Sequence, residues 1–249
     1  LKHIRKNLAD VGINPDLVQM VTTPPSKSKT QRLMELADLL VVTGSQNNVR
    51  AGYSSGTPAL GVGQGNVVTI LDETADVTDA AEKIAKSKTF DNATSCSSEN
   101  SVIVVRSKYK EALVALEQAG GLILDEIETQ RVVNLHWQNG RMNTALLAKD
   151  INVIIDKTKL AHRSDKNTRF LILPTQEAGP DAIVSGEKMS QFLTLYLAED
   201  FDHALKLAIK ISLVFAVLFI VIFLPMYLQA GEVIEVILPG PKVLVDFSF

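Results

Sequence analysis

The strongest nucleophile in this chain occurs once, as Cys96, inside the run Phe90-Asp91-Asn92-Ala93-Thr94-Ser95-Cys96-Ser97-Ser98-Glu99-Asn100. A lone cysteine is either a small buried hydrophobe or a nucleophile. Structural cysteines usually have apolar neighbours, whereas this one is flanked by Ser95, Ser97 and Ser98. Small neighbours leave room for a substrate, and the backbone N–H groups of such a turn can stabilise an oxyanion. No histidine lies close in sequence, the four being His3, His136, His162 and His203, so a Cys–His dyad requires tertiary approach. Glu99 reads as an acid at the start of a strand.

Three further places carry candidate binding groups. Thr43-Gly44-Ser45 ends the apolar strand Leu39 to Val42 and turns toward a helix through Arg50 and Tyr53. Nucleotide-binding α/β sheets hold ligands at that end of their strands, although a Gly-Ser turn alone is more often only a turn. Gly61, Gly63 and Gly65 in the cluster Gly56 to Asn66 let the backbone pass close to another strand or a ligand. They form no dinucleotide fingerprint, because Val67 to Leu71 continues as strand. Glu187 follows Gly186 just before a strand, where a carboxylate taken alone is a solvated loop acid.

The elements that must position these groups alternate. Helices are expected from His3 to Asp10, Ser26 to Ala37, Asp76 to Lys88 (Thr78 a possible N-cap), Lys108 to Gln118, Glu126 to Leu135 and Asp200 to Lys210. Strands are expected at Leu17 to Val21, Leu39 to Val42, Val67 to Leu71, Ser101 to Val105, Leu122 to Leu124, Phe170 to Leu173 and Phe192 to Leu197. Repeated alternation argues for an α/β fold. The 249 residues, 46% of them hydrophobic, suffice for a sizeable core. A net charge of −3 with no basic stripe argues against a nucleic-acid partner, and one cysteine fits a reducing, cytoplasmic compartment. No metal-binding set is evident.

Phe90 to Val104 resembles the catalytic segment of CoA-acylating aldehyde dehydrogenases, which reads Phe-Asp-Asn, small residues, Cys and a Ser-Glu pair before a strand. Tyr53-Ser54-Ser55-Gly56, Pro58 to Gly63 and Gly65-Asn66 resemble that family's glycine segment, and Ser185-Gly186-Glu187-Lys188 its ribose-binding segment. The resemblance spans residues 1 to 210, and the wording around Thr22 to Lys29 and Asn92 to Asn100 is most similar to the sulfoacetaldehyde branch. It implies part of a Rossmann-type nucleotide-binding domain over 1–72, an α/β catalytic domain over 73–210, and an atypical apolar tail over 211–249.

The resemblance also implies roles. Cys96 attacks an aldehyde, hydride leaves for NAD or NADP, and the resulting thioester is taken by CoA. Thr43, Gly44, Ser45 and Gly61 lie on the cofactor side, and Glu187 holds the nicotinamide ribose. Where hydrolytic relatives carry a glutamate that activates water, this chain has Gly61, which can act as no base. Glycine there also opens space for the acceptor, or serves close packing. The family's oxyanion asparagine would precede Leu1. Members usually associate into homo-oligomers.

The chain departs from the family after Lys210. Ile211 to Leu228 is nearly all apolar, at the lower edge of a membrane span. A span there would leave the catalytic domain unfinished, so a displaced frame, a chimeric join or gene decay explains it better. Membrane attachment is expected only if that segment is genuine. Two alternatives accompany the acylating reading: an inactive, membrane-attached fragment, and a hydrolytic dehydrogenase, which Gly61 disfavours.

Overall fold

The computed structural model describes residues 1–63 and 65–212. The apolar tail therefore lies outside the described residues except for its first two, Ile211 and Ser212. Among the described residues no helix is long and apolar enough to cross a membrane. The chain divides into two compact units, residues 1–64 and 65–249.

The first unit runs α1 (Lys2–Asp10), α2 (Lys27–Leu36), β1 (Leu40–Thr43), α3 (Gln46–Tyr53) and β2 (Ala59–Val62). The strand expected at Leu17 to Val21 does not form. Pro15–Leu17 is instead a 3-10 turn, with the Asn14 side chain accepting from the Asp16 N–H. Proline's fixed φ suits the first position of a helical turn. Leu17 and Met20 remain exposed with no strand beside them. The glycine cluster, by contrast, contains a strand: β2 pairs parallel with β1, from Leu40 opposite Ala59 to Thr43 opposite Val62.

The second unit is built on a five-stranded sheet in the order β3-β4-β9-β8-β5. Its strands are β3 (Val67–Leu71), β4 (Glu99–Val105), β5 (Gly121–Ile123), β8 (Phe170–Pro174) and β9 (Phe192–Ala198), all paired parallel. β3 is thus bonded to β4, and the compact units meet ahead of the expected boundary at 72. Around the sheet pack α4 (Val77–Thr89), α5 (Tyr109–Gln118), α6 (Glu126–His136), α7 (Ile151–Thr158) and a helix over residues 201–212. β6 (Trp137–Gln138) and β7 (Arg141–Met142) form a small antiparallel hairpin after α6.

Side-chain alternation explains why both faces of this sheet are covered. Val102 and Val104 of β4 pack with Ala81, Ile84, Ala112 and Leu116 of α4 and α5. Ile103 and Val105 point the other way, to Tyr196, Ala204 and Ile211. All four β4 valines and isoleucines are fully buried, as a parallel strand with two covered faces requires. The cap of α4 is Asp76, whose carboxylate accepts from the Asp79 N–H at 3.0 Å, and not Thr78, which lies inside the helix. Asp76 has the extended backbone that a cap needs. α7 and the β6–β7 hairpin have no counterpart in the sequence reading.

Candidate active site

Cys96 stands exposed at the tip of a tight turn between α4 and β4. The Ser98 N–H closes the turn on the Ser95 carbonyl at 3.0 Å, and the Ser95 and Ser97 hydroxyls lie 2.8 Å apart. Directly behind it is Gly65. A methyl group at position 65 would stand 2.2 Å from the Cys96 carbonyl oxygen, so only glycine lets these two backbones pass.

The backbone leading into the turn is strained. Asp91, Asn92 and Ala93 have φ of 47°, 52° and 60°, three successive left-handed residues, none of them glycine. Each such residue costs on the order of 1 kcal/mol. Asn92 anchors the stretch, donating to the Ala148 carbonyl at 3.3 Å and accepting from Gln191 Nε2 at 3.4 Å. Ala148, itself at φ 55°, donates to the carbonyl of Met189, at φ 44°. Strained backbone therefore gathers between the Cys96 segment and the segment that follows Glu187, the kind of clustering found at functional sites.

Glu187 is half-buried. Burial raises its pKa above the ordinary carboxylate value, while the Gly65 N–H and the charge of Lys88 act to lower it. Gly65 thus touches the surroundings of both Cys96 and Glu187. Asn66 adds a tether, donating from Nδ2 to the Ser185 carbonyl at 2.9 Å.

Beneath these loops is a buried polar layer. Lys88, in the last turn of α4, is fully buried, and its Nζ has no hydrogen-bond partner among the described residues. Burial lowers its pKa to about 7, against the opposing pull of Glu99 and Glu187. Lys188 is also fully buried but well bonded, its Nζ donating to the carbonyls of Asn100 at 2.8 Å and Gly186 at 2.9 Å. Burial, then the charge of Lys88, hold it well below the usual lysine range. His136 Nε2 bonds the Lys188 carbonyl at 2.9 Å, and burial pushes the ring's pKa down to about 4. These residues escaped sequence reasoning, which takes a lysine near a helix end as solvated. Their hydrogen-bond partners and neighbours lie far away in sequence, Lys188 being 52 residues from His136 and 88 from Asn100.

The remaining candidates lie in the first unit. Gly44, at φ 124°, occupies a conformation that favours glycine, and its N–H donates to the Val62 carbonyl at 3.3 Å. Ser45 caps α3 by accepting from the Asn48 N–H. Thr43-Gly44-Ser45 is therefore a strand–turn–helix junction at the carboxyl end of β1. Gly61 is packed tightly, since a methyl group there would meet Val49 at 2.5 Å and the Tyr53 hydroxyl at 2.9 Å. Its N–H donates to that hydroxyl at 3.0 Å. Close packing alone thus requires a small residue at 61. Among the described residues no cluster of potential metal ligands occurs. Open grooves of about 860 and 870 Å³ lie against α6–α7 and beside Gly120, and neither includes Cys96 or Glu187.

No protein-family model matches the chain. It is 44% identical over 206 residues to the sulfoacetaldehyde dehydrogenase (acylating) of Cupriavidus necator, covering 83% of this chain and 42% of that protein. The probable aldehyde dehydrogenase structure from Listeria monocytogenes superposes with a TM-score of 0.78 at 31% identity, over 85% of this chain and 47% of that one. The Rhodopseudomonas palustris propionaldehyde dehydrogenase, solved with bound CoA and an acylated cysteine, gives a TM-score of 0.74 at 26% identity, over 83% and 47%. The chain spans less than half the length of the relatives it matches. Over that span the chain is similar, in sequence and in fold, to acylating aldehyde dehydrogenases.

Proposed function

We propose that this chain carries the thiol half of an acylating aldehyde dehydrogenase, with Cys96 as the nucleophile and CoA as the acyl acceptor. The observation that carries the reading is the exposed, sole thiol at the tip of a strained turn, backed by a glycine that no other residue can replace. The Cys96 thiol loses its proton and its sulfur bonds to the aldehyde carbon. The oxygen that gains charge is left to the Cys96 backbone N–H, because the Ser97 and Ser98 N–H groups already bond Ser95. NAD or NADP, when bound, supplies the hydride acceptor. After the carbon has been oxidised, Cys96 holds the acyl group as a thioester.

Glu187 suits a nicotinamide nucleotide because a half-buried carboxylate can accept hydrogen bonds from two ribose hydroxyls. Thr43, Gly44 and Ser45 present the end of a parallel strand and a helix cap, a common setting for phosphates or the nicotinamide. Gly61 supplies no base to activate water. The lack of a base there supports CoA thiol rather than water as the acceptor. The substrate reading is sulfoacetaldehyde or another short aldehyde, and its support is the Cupriavidus necator relative together with the serines around Cys96. The reading carries with it a cytoplasmic location, where a free thiol stays reduced.

The test is NAD(P)H formation from sulfoacetaldehyde and from acetaldehyde, with and without CoA, in the chain and in Cys96→Ala. CoA-dependent turnover that vanishes in Cys96→Ala is expected, with sulfoacetaldehyde preferred. Equal rates without CoA would make water the acceptor and overturn the role given to Gly61.

A further inference from the structure

Asn100 occupies an irregular position in the sheet. Val67 of β3 pairs with Glu99 and the next residue, Val68, pairs with Ser101, so Asn100 is skipped. A bulge frees a residue from its ladder and re-aims its side chain, and bulges collect beside active sites. Asn100 is 3% exposed, and each polar group of its side chain is used. Its Nδ2 lies 3.4 Å from the carbonyl of Gly65 and 3.4 Å from that of Ser98, the residue that closes the Cys96 turn. Its Oδ1 accepts from the Lys188 N–H at 3.1 Å, and its own carbonyl accepts from Lys188 Nζ at 2.8 Å. One residue therefore touches the glycine that backs Cys96, the Cys96 turn, and the neighbour of Glu187.

We infer that Asn100 is a positioning residue that latches the Glu187–Lys188 segment to the Cys96 turn, so that the state of one is felt at the other. The inference rests on the roles proposed above for Cys96 and Glu187. The hydrogen bonds of Asn100 reach neither the Cys96 sulfur nor the Glu187 carboxylate. The Lys188 segment is held from its far side by His136 Nε2 on the Lys188 carbonyl, and Lys188 Nζ also bonds the Gly186 carbonyl. Asn100 therefore joins two braced pieces and does not tie down a loose one.

The test is a double-mutant cycle read at the thiol. Cys96 is the sole cysteine, so alkylation by iodoacetamide near neutral pH reports that turn alone. Asn100→Ala and Lys188→Met are each expected to change the alkylation rate by about fivefold, and the pair together to change it no further. Asn100→Asp keeps the acceptor for the Lys188 N–H but loses the Nδ2 donor to the Gly65 and Ser98 carbonyls, so it should change the rate about as much as Asn100→Ala. A merely structural role would give additive effects, and either additivity or an unchanged rate in folded Asn100→Ala or Asn100→Asp overturns the latch. Should Asn100→Ala fail to fold, the same cycle is run with Asn100→Ser.

A separate arm measures protection of Cys96 by NADP+ in the parent chain and in Glu187→Gln. If protection is absent, or unchanged in Glu187→Gln, the ribose reading of Glu187 fails while the cycle still decides the latch.

Discussion

In the unit of residues 1–64, Leu40 and Val49 are the buried hydrophobic residues among those described, and Val41, Leu60 and Val62 of its two strands are 70%, 59% and 54% exposed. In the unit from residue 65 onward, Val102 to Val105 and Phe170 to Leu173 are fully sealed by helices on both faces of the sheet. Cys96 and Glu187 therefore stand on a unit that holds its own core, and their loops can store strain because the layers beneath do not yield. Thr43, Gly44, Ser45 and Gly61 stand on two strands and short caps, where local chemistry does most of the positioning. The nucleophile's geometry is a property of packing, and that of the cofactor-side turn a property of caps and glycine.

The largest effect that would sharpen this contrast is at Lys88. In the unfolded chain its amine titrates at the ordinary lysine value of 10.5, and burial in the folded chain lowers it to about 7. Below pH 7 the folded protein keeps a buried charge, and its cost, on the order of 4–5 kcal/mol, is fully present. As pH rises from 7 toward 10.5 the folded state binds fewer protons than the unfolded one, so stability rises. Replacing Lys88 by Met should stabilise the chain most below pH 7, with an advantage that shrinks toward pH 10.5 in denaturant melts. A pH-independent difference would break the account of the buried layer.

Next come truncations in the two cores. Ile103→Ala, at a fully buried position, should cost about 2–5 kcal/mol, whereas Leu60→Ala on the open sheet should stay within about 0.5 kcal/mol. Similar losses at both would mean that the first unit is as well packed as the second. A smaller effect is expected at Gly65→Ala. The clash with the Cys96 carbonyl should cost about 1–3 kcal/mol and shift the alkylation rate of Cys96, while Gly12→Ala, in open space, should leave that rate unchanged.

The sealed strands were legible in the sequence because runs such as Ser101 to Val105 and Phe170 to Leu173 are continuously apolar, and a parallel strand between two helical layers needs little else. The Cys96 turn was legible from its serines, and Glu187 only through family resemblance. Leu17 to Val21 misled because an apolar run was taken for a strand without asking what it would pair with. Ile151–Thr158 was missed although Ile151, Ile154, Ile155 and Thr158 stand at helical spacing, because the run is short and rich in β-branched residues. Lys88, Asn100, Lys188 and His136 were illegible for a different reason. Each is polar by type and buried by partners distant in sequence, and no local pattern reports that.

The central claim, that Cys96 carries the acyl group and exchanges it with CoA, is tested most directly without any nicotinamide nucleotide. The folded chain is incubated with a short acyl-CoA and its intact mass is read, together with the peptide that contains residue 96. As the Cys96 sulfur bonds to the acyl carbon, the CoA thiol leaves. A single acyl adduct on Cys96, absent in Cys96→Ala and discharged by added CoA, is the predicted result. A folded chain that gains no adduct at Cys96, or gains the same adduct in Cys96→Ala, would contradict the account.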